Sequence, residues 1–454
     1  MDNDQRVGSW RELGTHLGTA IVLAGGVLVG AVNIYVAASL LPTAVADIGG
    51  QPLYAWNMTA FLVAQAVATL FVGRILAQRG NIRSYLLGFG VFAAGSLICA
   101  ASPAMSVLLV GRATQGLGAG LLTGLGYAVL PAALPSHLWT RGSALISAMF
   151  GVGNFVGPAL GGLLAQFGSW RLAFVVLAVA AMVLALFVGK ALPPSEPAGR
   201  PAPVPALSLA LMVGAVGALS IAGIVSAPAV MAALLALSLA LVLAFLARER
   251  RASVRVLPGS TYRPGSALRW IYLTIMLLAS GVAVESFLPL FAQRLGGLPP
   301  VAAGFFAATL SFGWSAGQIL SSSAHRPQTL RLLTIAGPGV LAAAFAVLAM
   351  LRRDPLAWPP VLLVGGAGIG IAMPHLSVAA MSSTEDSPQA AAAIATVLTM
   401  ATAFGAAVAG LLVNLGASST ATSAGYLLIG FAVTSAIGVI TAHRASRTDT
   451  RGRC

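Results

Sequence analysis

The chain has 454 residues, of which 58% are hydrophobic and only 8% charged, with a formal net charge of +14. Soluble domains carry about 25% charged residues, so this composition excludes an ordinary globular protein and leaves a polytopic membrane protein. The positive charge does not point to a nucleic-acid partner, because the basic residues sit in short connections between apolar runs, where the positive-inside rule puts them.

Counting apolar runs of about 20 residues gives fourteen spans. Six lie near 17–42, 55–77, 84–103, 105–131, 142–166 and 170–192. The polar, proline-rich connection PPSEPAGRPAPVP (193–205) follows, then two spans near 206–225 and 228–247 built almost wholly of Ala, Leu, Val, Gly and Ser. After the basic stretch Arg248–Arg269 come spans near 268–292, 299–323, 329–351, 358–381, 389–414 and 421–443, then a basic tail. The expected architecture is all-α. It has an N-terminal six-helix bundle over 1–192 and a linker over 193–267 carrying two additional helices and the basic stretch. A C-terminal six-helix bundle over 268–443 and a tail over 444–454 complete it. Residues 1–16 are polar and carry early acids, so the first run reads as a span that stays rather than a cleaved signal.

With the N-terminus inside, the 25 basic residues all fall on the cytoplasmic side except Arg171, Arg294, Arg352 and Arg353 outside and Arg112 within the membrane. Both termini are therefore expected in the cytoplasm, with the chain in the plasma membrane. Trp56, Trp170 and Trp358 fall at outer ends and Trp270 at an inner end, as interfacial anchors do. The two halves show little self-similarity, so an internal repeat is inferred from the span count alone.

Arg112 is the first functional clue, a permanent cation in the run Met105–Ala133, where it costs several kcal/mol unless paired or wetted. Gln115 and Gly116 follow on its helical face, and Gly116, Gly120 and Gly124 form a stripe that admits a close neighbouring backbone. The fifth span holds a second such stripe, Gly153, Gly157 and Gly161, with Pro158 removing one helix hydrogen bond and allowing a bend. Ordinary helix packing would explain these glycines one at a time. As a set, the stretches Arg112-Ala-Thr-Gln115-Gly116 and Gly153-Asn-Phe-Val-Gly157-Pro158-Ala-Leu-Gly161-Gly162 resemble the fourth-helix and fifth-helix motifs of the major facilitator superfamily. The likeness covers nearly the whole chain and is strongest to the fourteen-helix drug–proton antiporter branch.

That resemblance implies the major facilitator fold, two six-helix bundles rocking about a midplane site, and a proton-transfer role for Arg112. It also exposes departures. The segment Gly73-Arg-Ile-Leu-Ala77-Gln-Arg79-Gly80-Asn-Ile-Arg83 is similar to the gating loop of the family and keeps Gly73, Gly80, Arg79 and Arg83. It carries Ala77 where relatives have an aspartate and lacks basic residues at Asn81 and Ile82. Latching of the cytoplasmic side would then rest on packing, or on Glu385 and Asp386. In the first span, Asn33 stands where relatives carry an aspartate, and an amide does not titrate.

Glu285 is a replacement carrier, the one acid well inside any predicted span. An intramembrane carboxylate marks a proton or substrate site by default, with a structural ion pair as the bland alternative. At about 1.5 Å per residue, Arg112, Glu285 and Asn33 all lie roughly 10–14 Å from the outer ends of their spans. The resemblance implies that their helices face one cavity, where Arg112 and Glu285 would meet. Tyr35, Gln65, Gln115, Trp314, Gln318 and His375 are further candidates for a substrate cavity, weighed against plain helix-to-helix bonding. Arg248–Arg269 suits anionic headgroups but reads more simply as a topogenic anchor.

Cys99 and Cys454 form no disulfide framework, His16, His137, His325 and His443 have no ligand spacing, and there is no nucleotide-binding loop or triad. Neither an enzyme, a metal nor a cofactor is expected. The reading is a monomeric secondary transporter that exports a lipophilic or amphiphilic small molecule against protons, in contact with membrane lipids. The alternatives are an exporter of a lipid-like metabolite and a non-transporting membrane sensor or assembly partner.

Overall fold

A computed structural model describes residues 10–194, 205–252, 254–263, 265–321, 324, 326–383 and 387–451. Glu385, Asp386, His325 and Cys454 lie outside the described residues. The described part is helical throughout. After a short helical turn over Trp10–Leu13, the helices in chain order are α1 (Leu17–Ile48), α2 (Trp56–Ala100), α3 (Met105–Ala133), α4 (Trp139–Phe167), α5 (Trp170–Ala191), α6 (Ala206–Ala222) and α7 (Pro228–Arg251). They continue as α8 (Leu268–Gly281), α9 (Leu288–Arg294), α10 (Pro300–Ser321), α11 (Pro327–Met350), α12 (Trp358–Ser382), α13 (Ser387–Leu415) and α14 (Thr420–Arg451). Among the described residues, eleven segments are long and apolar enough to cross a membrane.

Two of these elements differ from one span per helix. α2 runs across two predicted spans and leaves helical geometry inside only at Gly80, whose φ of 70° and ψ of −179° suit a residue without a Cβ. The span entered at Leu268 is instead interrupted, because a 3-10 turn over Val282–Ser286 separates α8 from α9. Elsewhere the chain's punctuation sets the ends. Prolines open the first turns of α7, α10 and α11, where the missing N–H costs nothing. The Ser169 hydroxyl caps α5 by accepting from the Arg171 amide at 3.3 Å.

The chain forms two compact units, Met1–Gln51 with Ala60–Val204, and Pro52–Thr59 with Pro205–Cys454. In the first, α1 is the buried centre and α5 turns Leu172, Val176, Val179, Met182, Val183, Leu186 and Phe187 outward. Exposed apolar faces of this kind meet lipid. In the second, α6 and α7 pack on each other and α6 packs on α13, while α7 presents Leu237, Leu239 and Leu243 outward. The segment Pro52–Thr59 is tied into this unit. Asn414 Nδ2 donates to the carbonyls of Pro52 (3.1 Å) and Gly223 (2.9 Å), and Trp56 Nε1 donates to that of Ser220 at 3.3 Å. Tyr54, buried, stacks on Phe287 with ring centres 5.0 Å apart.

Candidate functional site

In the first unit, α3 buries Arg112 and Gln115 completely, at 0% exposure each. Arg112 Nη1 donates to Gln115 Oε1 at 2.8 Å, and the guanidinium lies 4.4 Å from the centre of the Phe61 ring. Gln115 in turn donates through Nε2 to Ser96 Oγ at 2.8 Å, and Ser96 donates to the Phe92 carbonyl at 2.9 Å. The buried Cys99 thiol donates to Gln115 Oε1 at 3.6 Å. A short polar chain thus fixes the cation's direction from the second half of α2, and a hydrogen bond from an ionised donor is among the stronger kind.

The glycine stripes place this cluster. A methyl group at Gly116 or Gly120 would fall on the carbonyl of Phe61 or Gln65, and one at Gly118 on the backbone of Phe92. α3 therefore wedges between the two halves of α2 with backbones in contact. The second unit repeats this packing. Gly366 and Gly370 sit on the carbonyls of Leu310 and Trp314, and Gly368 meets Leu341 as Gly118 meets Phe92. Gly337 meets Ala372 as Gly88 meets Leu122, and Gly365 meets Ala344 as Gln115 meets Gly95.

In that register the counterparts of Ser96, Cys99, Arg112 and Gln115 are Phe345, Leu348, Leu362 and Gly365. The same wedge of helices is built in one unit around a cation and in the other around hydrocarbon. Packing alone does not demand Arg112.

The fifth-helix motif packs on α1. Methyl groups at Gly153, Gly157 and Gly161 would meet Ala31, the Cβ of Tyr35 (2.5 Å) and the Val36 carbonyl (2.7 Å). α4 passes through Pro158 without interruption. Tyr35 is half-buried in this seam, as is Gln65 on the face of α2 that meets α3. Asn33 is wholly buried on α1, and among the described residues neither its carboxamide oxygen nor its nitrogen has a hydrogen-bond partner. A buried amide left this way costs about 1–3 kcal/mol, which a water or substrate group would recover. In the loop that resembles the gating motif, Gly73, Arg79 and Arg83 are exposed while Gly80 is buried. Ser84 Oγ donates to the Gly80 carbonyl at 2.6 Å and Asn81 Nδ2 to the Pro193 carbonyl at 3.4 Å.

In the second unit, Glu285 lies in the 3-10 turn between α8 and α9 at 8% exposure. Ser311 Oγ, on α10, donates to Glu285 Oε1 at 2.6 Å. Two residues on, Phe287 stacks on Tyr54 and begins an aromatic series through Phe291, Trp358 and Phe306 with centres 6.1 to 6.4 Å apart. The acid thus lies two residues from the start of an aromatic block. Trp314 and His375 are half-buried, and the indole Nε1 and imidazole Nε2 have no hydrogen-bond partner among the described residues. Gln318 is half-buried one turn after Trp314. Arg112 belongs to the first unit and Glu285 to the second.

Two further acids, inconspicuous in the sequence, carry structure. Glu249, at 0% exposure, accepts from Ser208 Oγ (2.6 Å), the Val256 amide (2.8 Å) and the Tyr262 hydroxyl (3.2 Å). Burial and that carboxylate together push the Tyr262 hydroxyl's pKa up, so it stays a donor. Asp47 accepts from Arg171 Nη1 at 2.6 Å and from Trp170 Nε1 at 3.0 Å. Arg171, one of the basic residues expected outside, thus has a local counter-charge.

These features define a helical membrane protein whose two units share one packing scheme and each hold a buried ionisable residue. The profile of the Major Facilitator Superfamily matches residues 23–206. A Mycobacterium tuberculosis protein named "Probable multidrug-efflux transporter" is 44% identical over 98% of this chain and 98% of its own. Among solved structures, a POT family transporter in complex with 5-aminolevulinic acid superposes with a TM-score of 0.69 at 13% identity, covering 97% of this chain and 98% of that one. A D-xylose–proton symporter gives 0.67 at 12% identity over 94% and 97%. At such identities these two speak to the fold alone. The chain belongs to the major facilitator superfamily, and is a transporter rather than an enzyme.

Proposed function

We propose that this transporter exports a lipophilic or amphiphilic small molecule by proton antiport, through alternating access. The observation that carries the reading is Glu285, a carboxylate buried at a helix break with a serine hydroxyl on one oxygen. An acid held at membrane depth is a functional group by default, proton exchange among its uses, and here it stands in for the acid missing at Asn33. The name of the Mycobacterium tuberculosis relative supports a drug-like substrate. So do the buried polar atoms of Trp314 and His375 in the second unit, unpartnered among the described residues, which favour a mostly apolar ligand with a few hydrogen-bonding groups.

The same proposal includes the fourteen-helix arrangement. Breaking α2 at Gly80, joining α8 to α9 across the 3-10 turn, and counting α6 and α10 as spans yields fourteen crossings, with both termini cytoplasmic. Arg112 takes part in coupling, with Gly73, Gly80, Arg83 and the Gly153–Gly161 stripe serving the conformational change. The test is ethidium efflux from everted vesicles, with and without an uncoupler. Uncoupler-sensitive efflux that falls at least tenfold in Glu285→Gln is the expected result. A Glu285→Gln protein with undiminished proton-coupled efflux refutes the carrier assignment.

A further inference from the structure

The polar end of the second unit near its basic stretch holds an arrangement that transport chemistry does not use. Trp270, half-buried at the start of α8, has two guanidinium groups over its ring. Arg269 lies 5.2 Å from the ring centre and Arg444, in the last third of α14, lies 4.9 Å from it. Both arginines are exposed, and Arg447, also exposed, follows one turn after Arg444. One turn deeper, the Thr274 and Thr441 hydroxyls bond to each other at 2.8 Å in a buried contact and tie α8 to α14. The tryptophan and its two arginines therefore rest on a seam fixed from below, and they lie at the ends of the two spans Leu268–Arg294 and Thr420–Arg447. The ends of membrane spans are level with lipid phosphates.

Two exposed guanidinium groups flank one indole, so an anion seated beside the ring meets both cations at once. The indole supplies the amphipathic platform that interfacial tryptophans offer to glycerol and headgroup atoms. We infer that Arg269, Arg444 and Trp270 form a binding site for the phosphate group of an anionic phospholipid, held at the junction of α8 and α14. The site reads charge and depth together. A zwitterionic headgroup offers no net counter-charge, and free phosphate lacks the acyl chains that bring it to this level. Each arginine near an anionic leaflet is worth about a fivefold gain in affinity, so losing both lowers it roughly 25-fold.

The test uses the full chain purified in a neutral detergent. Thermal unfolding is followed on addition of phosphatidylglycerol, phosphatidylcholine or inorganic phosphate, and bound lipids are counted by native mass spectrometry. Phosphatidylglycerol is expected to raise the unfolding midpoint and leave one more tightly retained lipid, with no such effect from the other two. Arg269→Gln with Arg444→Gln abolishes both effects, whereas Arg326→Gln with Arg331→Gln, removing two arginines elsewhere, keeps them. If the first double variant fails to purify, each single variant serves, losing about fivefold in lipid retention. Retention and stabilisation unchanged in the Arg269/Arg444 variants, or equal effects from phosphatidylcholine or inorganic phosphate, overturn the inference.

Discussion

Replacing Arg112 by leucine separates what the buried cation does for stability from what it does for transport. The substitution removes the hydrogen bond to Gln115 Oε1 and the contact with the Phe61 ring, about 1.5–3 kcal/mol and up to about 2 kcal/mol. It also lifts the cost of holding a charge at 0% exposure, which is several kcal/mol per ion even after relaxation. These terms oppose each other, and leucine is the residue that occupies the equivalent place, Leu362, in the second unit. Gln115 keeps its bond to Ser96. The expected net change in stability is therefore within about 2 kcal/mol, an unfolding midpoint moved by less than about 5 °C, while uncoupler-sensitive efflux falls at least tenfold. Thermal unfolding in detergent and dye efflux from vesicles give both readouts on one preparation. A collapse in folded yield, or a midpoint lowered by more than about 10 °C, would mean the cluster is an internal brace. Efflux at the wild-type rate would remove Arg112 from coupling altogether.

Other consequences are equally direct. Gly157→Val drives a branched side chain onto Tyr35 and the Val32 carbonyl; overpacking costs about 1–3 kcal/mol, so monodisperse protein on size-exclusion chromatography should fall, and a normal yield would contradict the seam described. Glu249→Leu strands the Ser208, Val256 and Tyr262 donors, and unpaired buried donors cost about 1–3 kcal/mol each. Limited proteolysis between Ala252 and Tyr262 should speed up severalfold, and an unchanged digestion rate argues against the carboxylate as the clasp. Thr274→Val with Thr441→Val breaks a buried bond, yet hydrogen bonds between membrane helices average only about 0.6 kcal/mol. Its unfolding midpoint should hold within about 3 °C, and a larger fall would show this pair to be unusually strong.

The apolar runs make most of the helices legible in the sequence, since α3, α5, α11 and α12 begin and end within a few residues of the expected spans. Arg112 with Gln115, and Glu285, stood out because charge and amide groups are conspicuous in hydrocarbon. Glu249 did not, because its neighbours Arg248, Arg250 and Arg251 make it read as one of a solvated run, and only the fold turns it inward. The repeat was illegible for a different reason. Equivalent contacts use glycine on opposite partners, Gly95 against Gln115 in one unit and Gly365 against Ala344 in the other, so matching positions carry unlike letters. The break at Glu285 likewise leaves no proline or glycine within the turn to announce it.

The attachment of Pro52–Thr59 to the second unit has a consequence for engineering the chain. A cut in the connection 193–205 looks like the natural seam for exchanging halves between relatives. Each such chimera would import a foreign Tyr54, Trp56 and Pro52 into a surface shaped for its own, formed by Phe287, Ser220 and Asn414. Half-exchanges that carry residues 52–59 along with the C-terminal donor should assemble, and those split only at the linker should not. The inheritable module of this transporter is discontinuous in sequence.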